Sequence, residues 1–214
     1  MRRLHEQALA AVRAKEDFLA ALSHEMRTPL NPVLLLASNA AEDPTVPEHL
    51  RREFLTIRKN VELEARLIDD LLDLTRITRG KLRLSIAPQD AHATLEDVLS
   101  MLAPDFVQKQ LAVTRDFAPG RPLVLADAVR LRQIIWNVIK NALKFTPEGG
   151  QVSVKTEVAG SRLRISILDT GIGMTSAELG RAFGAFAQGD HASRAGSHQF
   201  GGLGLGLTIS RMLV

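Results

Sequence analysis

His24 is followed directly by a carboxylate, Glu25, inside a helical run of apolar residues. A carboxylate beside an imidazole can orient the ring or take its proton, leaving the other ring nitrogen free as a nucleophile. Asn137 and Asn141 stand four residues apart and Lys144 follows three later, so on a helix they share a face. Neutral oxygen ligands beside a cation suit Mg²⁺ with a polyphosphate, because Mg²⁺ prefers oxygen and keeps several waters. An Asn pair on a helix is more often a solvated polar face, so this pair needs support from elsewhere. Asp169-Thr170-Gly171-Ile172-Gly173 offers a carboxylate that can accept from an exocyclic amine such as adenine's, beside glycines that admit close backbone approach. An ordinary strand-to-helix turn uses the same residues. Gly201-Gly202-Leu203-Gly204-Leu205-Gly206 opens a helix, where exposed N–H groups and the positive helix end form a natural phosphate cradle.

These residues need elements to position them. Leu9, Val12, Leu19, Leu22, Met26, Leu30 and Val33 recur at helical spacing. His24 lies roughly 200° around that helix from both Leu22 and Met26, and so should face solvent. Pro29 and Pro32 remove backbone donors, which should bend or loosen the helix just after the histidine. A first helix is expected over 3–40, a turn at the breaker cluster Asp43-Pro44-Thr45-Val46-Pro47, and a second helix over 48–78, stopped by Gly80. Such an antiparallel hairpin leaves an apolar face bare, which predicts a homodimer through residues 1–80, closed as a four-helix bundle. Packing on another part of a longer protein is the alternative.

Beyond Gly80 the pattern predicts strands at 81–86, 111–117, 123–125, 151–158 and 162–168, the last two joined as a hairpin at Ala159-Gly160. Helices are predicted over 90–110, capped by Asp90, and over 128–143, capped by Asp127. The fold class is α+β: a helical hairpin over 1–80, then an α/β sandwich over 81–214 with helices on one face of a mixed sheet.

Composition narrows the function. A hydrophobic fraction of 45% in 214 residues is enough for real cores, in one or two domains. A net charge of +3 and the absence of aromatic RNA-binding or zinc spacing give no sign of a nucleic-acid surface. The lack of cysteine excludes disulfides and a thiol nucleophile, and fits a cytoplasmic location. No apolar run reaches the length of a membrane span, and no signal-peptide core follows Met1.

Taken together, the motifs resemble the core of a sensor histidine kinase of a two-component system. Ser23-His24-Glu25-Met26-Arg27-Thr28-Pro29-Leu30 is similar to the family's H box. Asn137-Val138-Ile139-Lys140-Asn141-Ala142-Leu143-Lys144-Phe145-Thr146 is similar to its N box, and Asp169 to Gly173 to its first glycine box. Phe183-Gly184-Ala185-Phe186 resembles the F box, and Gly202-Leu203-Gly204-Leu205-Gly206 the second glycine box. The likeness covers nearly the whole chain, with five boxes in the family's order and spacing.

That resemblance implies a dimerisation and histidine phosphotransfer hairpin at 1–80 and an ATP-binding catalytic domain of the histidine-kinase/gyrase ATPase type at 81–214. It makes His24 the phosphoacceptor, Glu25 the base that helps activate it, and Thr28 the residue that positions water for dephosphorylating a partner regulator. Asn141 would hold Mg²⁺ with Asn137 supporting it, and Lys144 would contact phosphate. Phe145, within the N box, belongs to the nucleotide site. Asp169 would bind the adenine amine, Gly171 and Gly173 would shape that pocket, and Gly202, Gly204 and Gly206 would approach the phosphates. Residues from about 186 to 201 would be the mobile ATP lid.

Related ATPases of this superfold carry a glutamate where Asn137 stands; an amide cannot be a general base, so the resemblance implies ATP binding without rapid hydrolysis. The implied activity is autophosphorylation of His24 and transfer to an aspartate of a response-regulator receiver domain. The alternative is a dimeric scaffold or truncated kinase that binds a regulator without phosphorylating itself. A gyrase-like ATPase is disfavoured by Asn137.

Two departures stand out. Leu203 occupies a position that is often threonine in the family. The chain also stops at Val214, where the family adds a final strand pair, so the sheet is expected to be C-terminally incomplete with an unfinished edge.

Overall fold

In the computed structural model of the chain, residues 27–187 and 204–214 are described. Contacts divide the chain into two units, Met1–Gly80 and Lys81–Val214.

In the first unit, helix α1 (27–42) runs unbroken through Pro29 and Pro32, so neither proline interrupts it within the described residues. The rest of the predicted first helix, with His24 and Glu25, lies outside them. The turn after α1 is organised by Asp43, whose Oδ1 accepts from the backbone N–H of Thr45 at 2.8 Å and its hydroxyl at 2.7 Å. This side chain imitates a backbone turn, as Asp does where a helix must stop. Helix α2 (Glu48–Thr78) then returns. Gly80 follows it at φ +64°, a left-handed conformation that glycine adopts without a Cβ penalty. Arg27 pairs with Asp69, and Arg58 with Glu42, across the hairpin. Ala37, Leu72 and Leu74 are buried, while Val33, Leu35, Leu36 and Ile57 are exposed. The hairpin therefore shows apolar side chains that a single chain does not cover.

The second unit opens with a difference from expectation. Residues 81–86 form no strand; Leu84 and Ile86 are exposed, and the Ser85 N–H donates to Asp127 Oδ2 at 2.8 Å. Strand β1 lies just beyond, at Ala87–Asp90, and pairs antiparallel with β3 (Leu123–Ala126). Pro88 is tolerated because this sheet has two strands, so each strand has an edge where a missing donor costs nothing.

Helix α3 (Ala91–Gln108) begins at Asp90, whose carboxylate accepts from the Ala93 N–H at 3.0 Å. Helix α4 (Ala128–Phe145) begins at Asp127, which accepts from Val129 N–H at 2.9 Å and Arg130 N–H at 3.1 Å. Both predicted caps thus satisfy otherwise orphaned donors of a first turn. Strand β2 (Ala112–Asp116) runs parallel to β4 (Gln151–Ala159), and β4 pairs antiparallel with β5 (Arg162–Asp169), giving the order β2-β4-β5.

The core fills the space between α3, α4 and this sheet. Leu95, Val98, Leu99, Leu102 and Phe106 come from α3; Ile135, Ile139, Ala142 and Leu143 from α4; and Val152 and Val154 from β4. Each fully buried Leu or Ile contributes about 1.5–3 kcal/mol relative to exposure. Thr156 continues the inward face of β4, and its buried hydroxyl accepts from the Ala118 N–H at 2.8 Å. A short helix α5 (Ser176–Arg181) and helix α6 (Gly206–Leu213) follow β5 among the described residues. No described helix is long and apolar enough to cross a membrane.

Candidate functional site

Three predicted groups meet along the C-terminal half of α4. The last four carbonyls of a helix lack intrahelical partners, and here each is supplied. Ala142 O accepts from the backbone N–H of Thr146 at 3.0 Å and from its buried hydroxyl at 2.6 Å. Leu143 O and Lys144 O both accept from Lys109 Nζ, at 2.8 and 2.9 Å. Phe145 O accepts from the Ile172 N–H at 3.2 Å, which ties the helix end to the loop after β5. Burial lowers the pKa of both Lys109 and Lys144. Lys144 is half-buried, with Nζ 4.8 Å from the Phe145 ring centroid.

The loop after β5 is docked on that helix end. A Cβ at Gly171 would lie 2.7 Å from Phe145 O and 2.5 Å from Asp169 Oδ1, so only glycine fits. The Gly171 N–H donates to Asp169 Oδ1 at 2.9 Å, which fixes the carboxylate at an exposed position. Gly173 follows at φ +66°. Thr175 then caps α5 through a reciprocal box, accepting from the Glu178 N–H at 3.2 Å while Glu178 accepts from the Thr175 N–H at 2.9 Å.

About two turns earlier on α4, Asn137 faces the start of α6. Its Nδ2 donates to Gly206 O at 3.1 Å and Ser210 Oγ at 3.3 Å. A Cβ at Gly206 would be 3.2 Å from Asn137 Cγ, so this glycine lets the two helices approach closely. Gly204, at φ +71°, packs on Ala187, whose carbonyl oxygen would stand 2.4 Å from an added Cβ. At both positions the close approach that glycine permits is to the protein itself. Arg211 of α6 lies over the Phe183 ring, 5.5 Å from its centroid.

Asn141, between Asn137 and Lys144 on α4, carries no side-chain hydrogen bond among the described residues. Its amide, the half-buried ammonium of Lys144 and the exposed carboxylate of Asp169 are thus all carried by the end of α4 and the loop joined to it. A desolvated ammonium gains from an anion beside it, which suits a phosphate. An amide oxygen suits Mg²⁺ that takes its remaining ligands from phosphate and water. No cluster of three acidic, His or Cys side chains able to hold a metal occurs among the described residues. The residues present fit a metal that arrives with a polyphosphate.

His24, Glu25 and Gly202 lie outside the described residues, and Thr28 is an exposed residue of α1 in the first unit. Sequence reasoning missed Lys109 and the Thr175–Glu178 box, and gave Thr146 no role beyond its place in the N box. The box has a legible signal, threonine followed three residues later by glutamate. Lys109 has none pointing to α4, because its acceptors lie over thirty residues away.

Comparison with known proteins fits this arrangement. Residues 14–80 match the His Kinase A (phospho-acceptor) domain, and residues 126–214 match the histidine kinase-, DNA gyrase B- and HSP90-like ATPase family. The chain is 39% identical over 216 residues to the sensor protein GacS of Pseudomonas syringae pv. syringae, and 40% identical over 215 residues to the sensor histidine kinase GacS of Pseudomonas protegens. Each alignment takes in 98% of this chain and 23% of the relative, so the chain spans about a quarter of the length of these curated relatives. Full-length ShkA, solved in complex with AMPPNP, is 34% identical with a TM-score of 0.71, over 92% of this chain and 40% of that one. A phosphoacceptor match followed by an ATPase match, at these identities and on this fold, shows that the chain belongs to the sensor histidine kinases of two-component systems.

Proposed function

We propose that this chain is a protein-histidine kinase core that phosphorylates its own His24 from ATP and passes the phosphoryl group to an aspartate of a response-regulator receiver domain. The observation that carries this reading is the junction at Phe145. Its carbonyl accepts from Ile172 while Gly171 packs against it, which sets the Asp169 loop against the helix that bears Asn141 and Lys144. AMPPNP bound to full-length ShkA supports a nucleotide at the equivalent domain.

Asp169 accepts from the adenine amine, and Gly171 and Gly173 shape the pocket around the base. Lys144 contacts phosphate, and Phe145 holds the floor beside it. The amide oxygen of Asn141 holds Mg²⁺, with Asn137 supporting it by keeping α6 in place. Mg²⁺ supplies neutralisation of the charge that spreads over the γ-phosphoryl oxygens. The N-terminal N–H groups of α6 face the phosphates, and Gly202, Gly204 and Gly206 approach them.

A ring nitrogen of His24 forms the new bond to the γ-phosphorus as the bond to the β–γ bridging oxygen breaks and ADP leaves. Glu25 accepts a hydrogen bond from the other ring N–H and, as base, takes that proton as positive charge develops on the ring. Asn137 has no carboxylate with which to activate water, so transfer outruns hydrolysis. Thr28 positions water for the reverse task, dephosphorylating the regulator. The exposed apolar residues of the hairpin support a homodimer through 1–80. Use of ATP places this segment on the cytoplasmic side.

The test is incubation of the 214-residue chain with Mg²⁺ and γ-labelled ATP, beside His24→Gln. Acid-labile, alkali-stable label that disappears in the variant is expected. A folded wild-type chain that takes no label overturns the kinase reading and leaves the dimeric scaffold.

A further inference from the structure

Lys109 lies outside every motif of the site, yet it binds the site's main helix at two levels. Its ammonium donates to the carbonyls of Leu143 and Lys144, in the last turn of α4. Its own carbonyl accepts from the Gly149 N–H at 3.3 Å, in the turn that leads from α4 into β4. Three residues further on, Ala112 N–H donates to Gly150 O at 2.9 Å. The α3–β2 connection is therefore laced to the α4–β4 connection by side chain and backbone together.

A helix C-terminus carries partial negative charge, and a cation there is favourable, the more so where water is scarce. Lys109 places one there in direct hydrogen bonds to two carbonyls, beside the helix's own Lys144. The neighbouring carbonyl, that of Phe145, holds the Ile172 N–H and so the Asp169–Gly173 loop. If the last turn of α4 frays, Lys144 loses its anchorage and the loop loses its acceptor together.

We infer that Lys109 is a positioning residue for nucleotide binding: by clamping Leu143 O and Lys144 O it sets the register between Lys144 and the Asp169–Gly173 loop. Lys109 touches neither nucleotide nor metal. The inference rests on the proposed reading of the site as an ATP site, but its first consequence needs no ligand.

The experiment uses the full 214-residue chain in three variants, Lys109→Met, Lys109→Arg and Leu95→Val. Leu95 is a buried residue about four turns before Lys109 on α3, and serves as a control for general destabilisation. Amide hydrogen exchange is followed without nucleotide, and Mg²⁺-ADP affinity by calorimetry at a temperature where circular dichroism shows every variant folded. In Lys109→Met, exchange should quicken selectively at Ile172 and Gly149, and the ADP dissociation constant should rise about tenfold. Lys109→Arg keeps a donor and should recover most of the affinity. Leu95→Val should change exchange broadly and leave affinity close to wild type. Wild-type exchange at Ile172 in Lys109→Met overturns the inference. So does an equal loss of affinity in Leu95→Val. A wild-type chain with no ADP affinity removes the nucleotide reading itself, while the exchange result still decides whether Lys109 clamps the loop.

Discussion

Asn137 holds Gly206: the side-chain amide of the first donates to the main-chain carbonyl of the second at 3.1 Å. Ser210 closes the triangle, its hydroxyl donating to the same carbonyl at 2.8 Å and accepting from Asn137 at 3.3 Å. The choice of an amide at this position thus has a structural reason beside the chemical one. A carboxylate would lose the donor and point oxygen at oxygen, so the residue that withholds a general base also secures the first turn of α6.

Asn137→Asp, nearly the same size, isolates that donor. It should destabilise the second unit by about 2 kcal/mol at neutral pH, because it removes a hydrogen bond and leaves a carbonyl facing an unpaired charge. The deficit should narrow as pH falls through the carboxylate range, since a protonated Asp regains a donor. Denaturant unfolding at several pH values checks both the size and the pH trend. A deficit that does not change with pH would sink the explanation.

Gly171→Ala puts a methyl group 2.7 Å from the Phe145 carbonyl oxygen. That contact is with backbone, so the loop must move off α4 and the Ile172–Phe145 bond must lengthen. Nucleotide affinity should fall at least tenfold with a stability loss of about 1–3 kcal/mol. Calorimetric titration with ADP beside thermal unfolding separates the two effects. Gly180→Ala is a suitable companion, because nothing lies within 4 Å of its added Cβ, and it should bind as the wild type does.

Asp70 of α2 has its pKa raised from 3.8 to about 6, first by burial, then by the charges of Asp73 and Asp69, with Arg66 opposing. A carboxyl whose folded pKa lies above its unfolded value supports the fold fully below the unfolded value and loses that contribution as pH rises through the folded one. The hairpin should therefore weaken between about pH 4 and pH 7 on account of this group. Asp70→Asn should be the more stable protein at about pH 8, by about 1 kcal/mol once solvent screening is allowed for, and lose that advantage near pH 4. Unfolding curves for the pair across this range test it; an advantage that grows toward low pH would contradict the assignment.

Local signals carried much of this molecule and long-range ones did not. Asp90 and Asp127 could be recognised as caps because a cap acts on the next three residues. The β4–β5 hairpin showed in its alternation and in its short turn. The stretch 81–86 alternates just as well, yet pairing belongs to 87–90, which contains a proline. What decides is the partner: β3 aligns Ala87 with Ala126 and Asp90 with Leu123, while Asp127 takes the Ser85 N–H. In the site, Asn137, Asn141, Lys144 and the glycines could be picked out by type and spacing. That Gly204 and Gly206 abut Ala187 and Asn137 could not, because glycine names a close approach without naming what approaches. Lys109 was silent for a related reason: a lysine at a helix end is ordinary until its distant acceptors are known.

The pinch between Ala187 and Gly204 also bears on how this family varies. It brings together the two residues that flank the stretch 188–203, and so fixes the separation that this stretch must span. The entropy of joining two fixed ends grows slowly with the length of chain between them, by about 0.6 kcal/mol per doubling. Insertions, deletions and wholesale exchanges between those anchors therefore cost the rest of the fold little. The folding of α4, α6 and the sheet therefore sets little limit on the length of chain carried between Ala187 and Gly204.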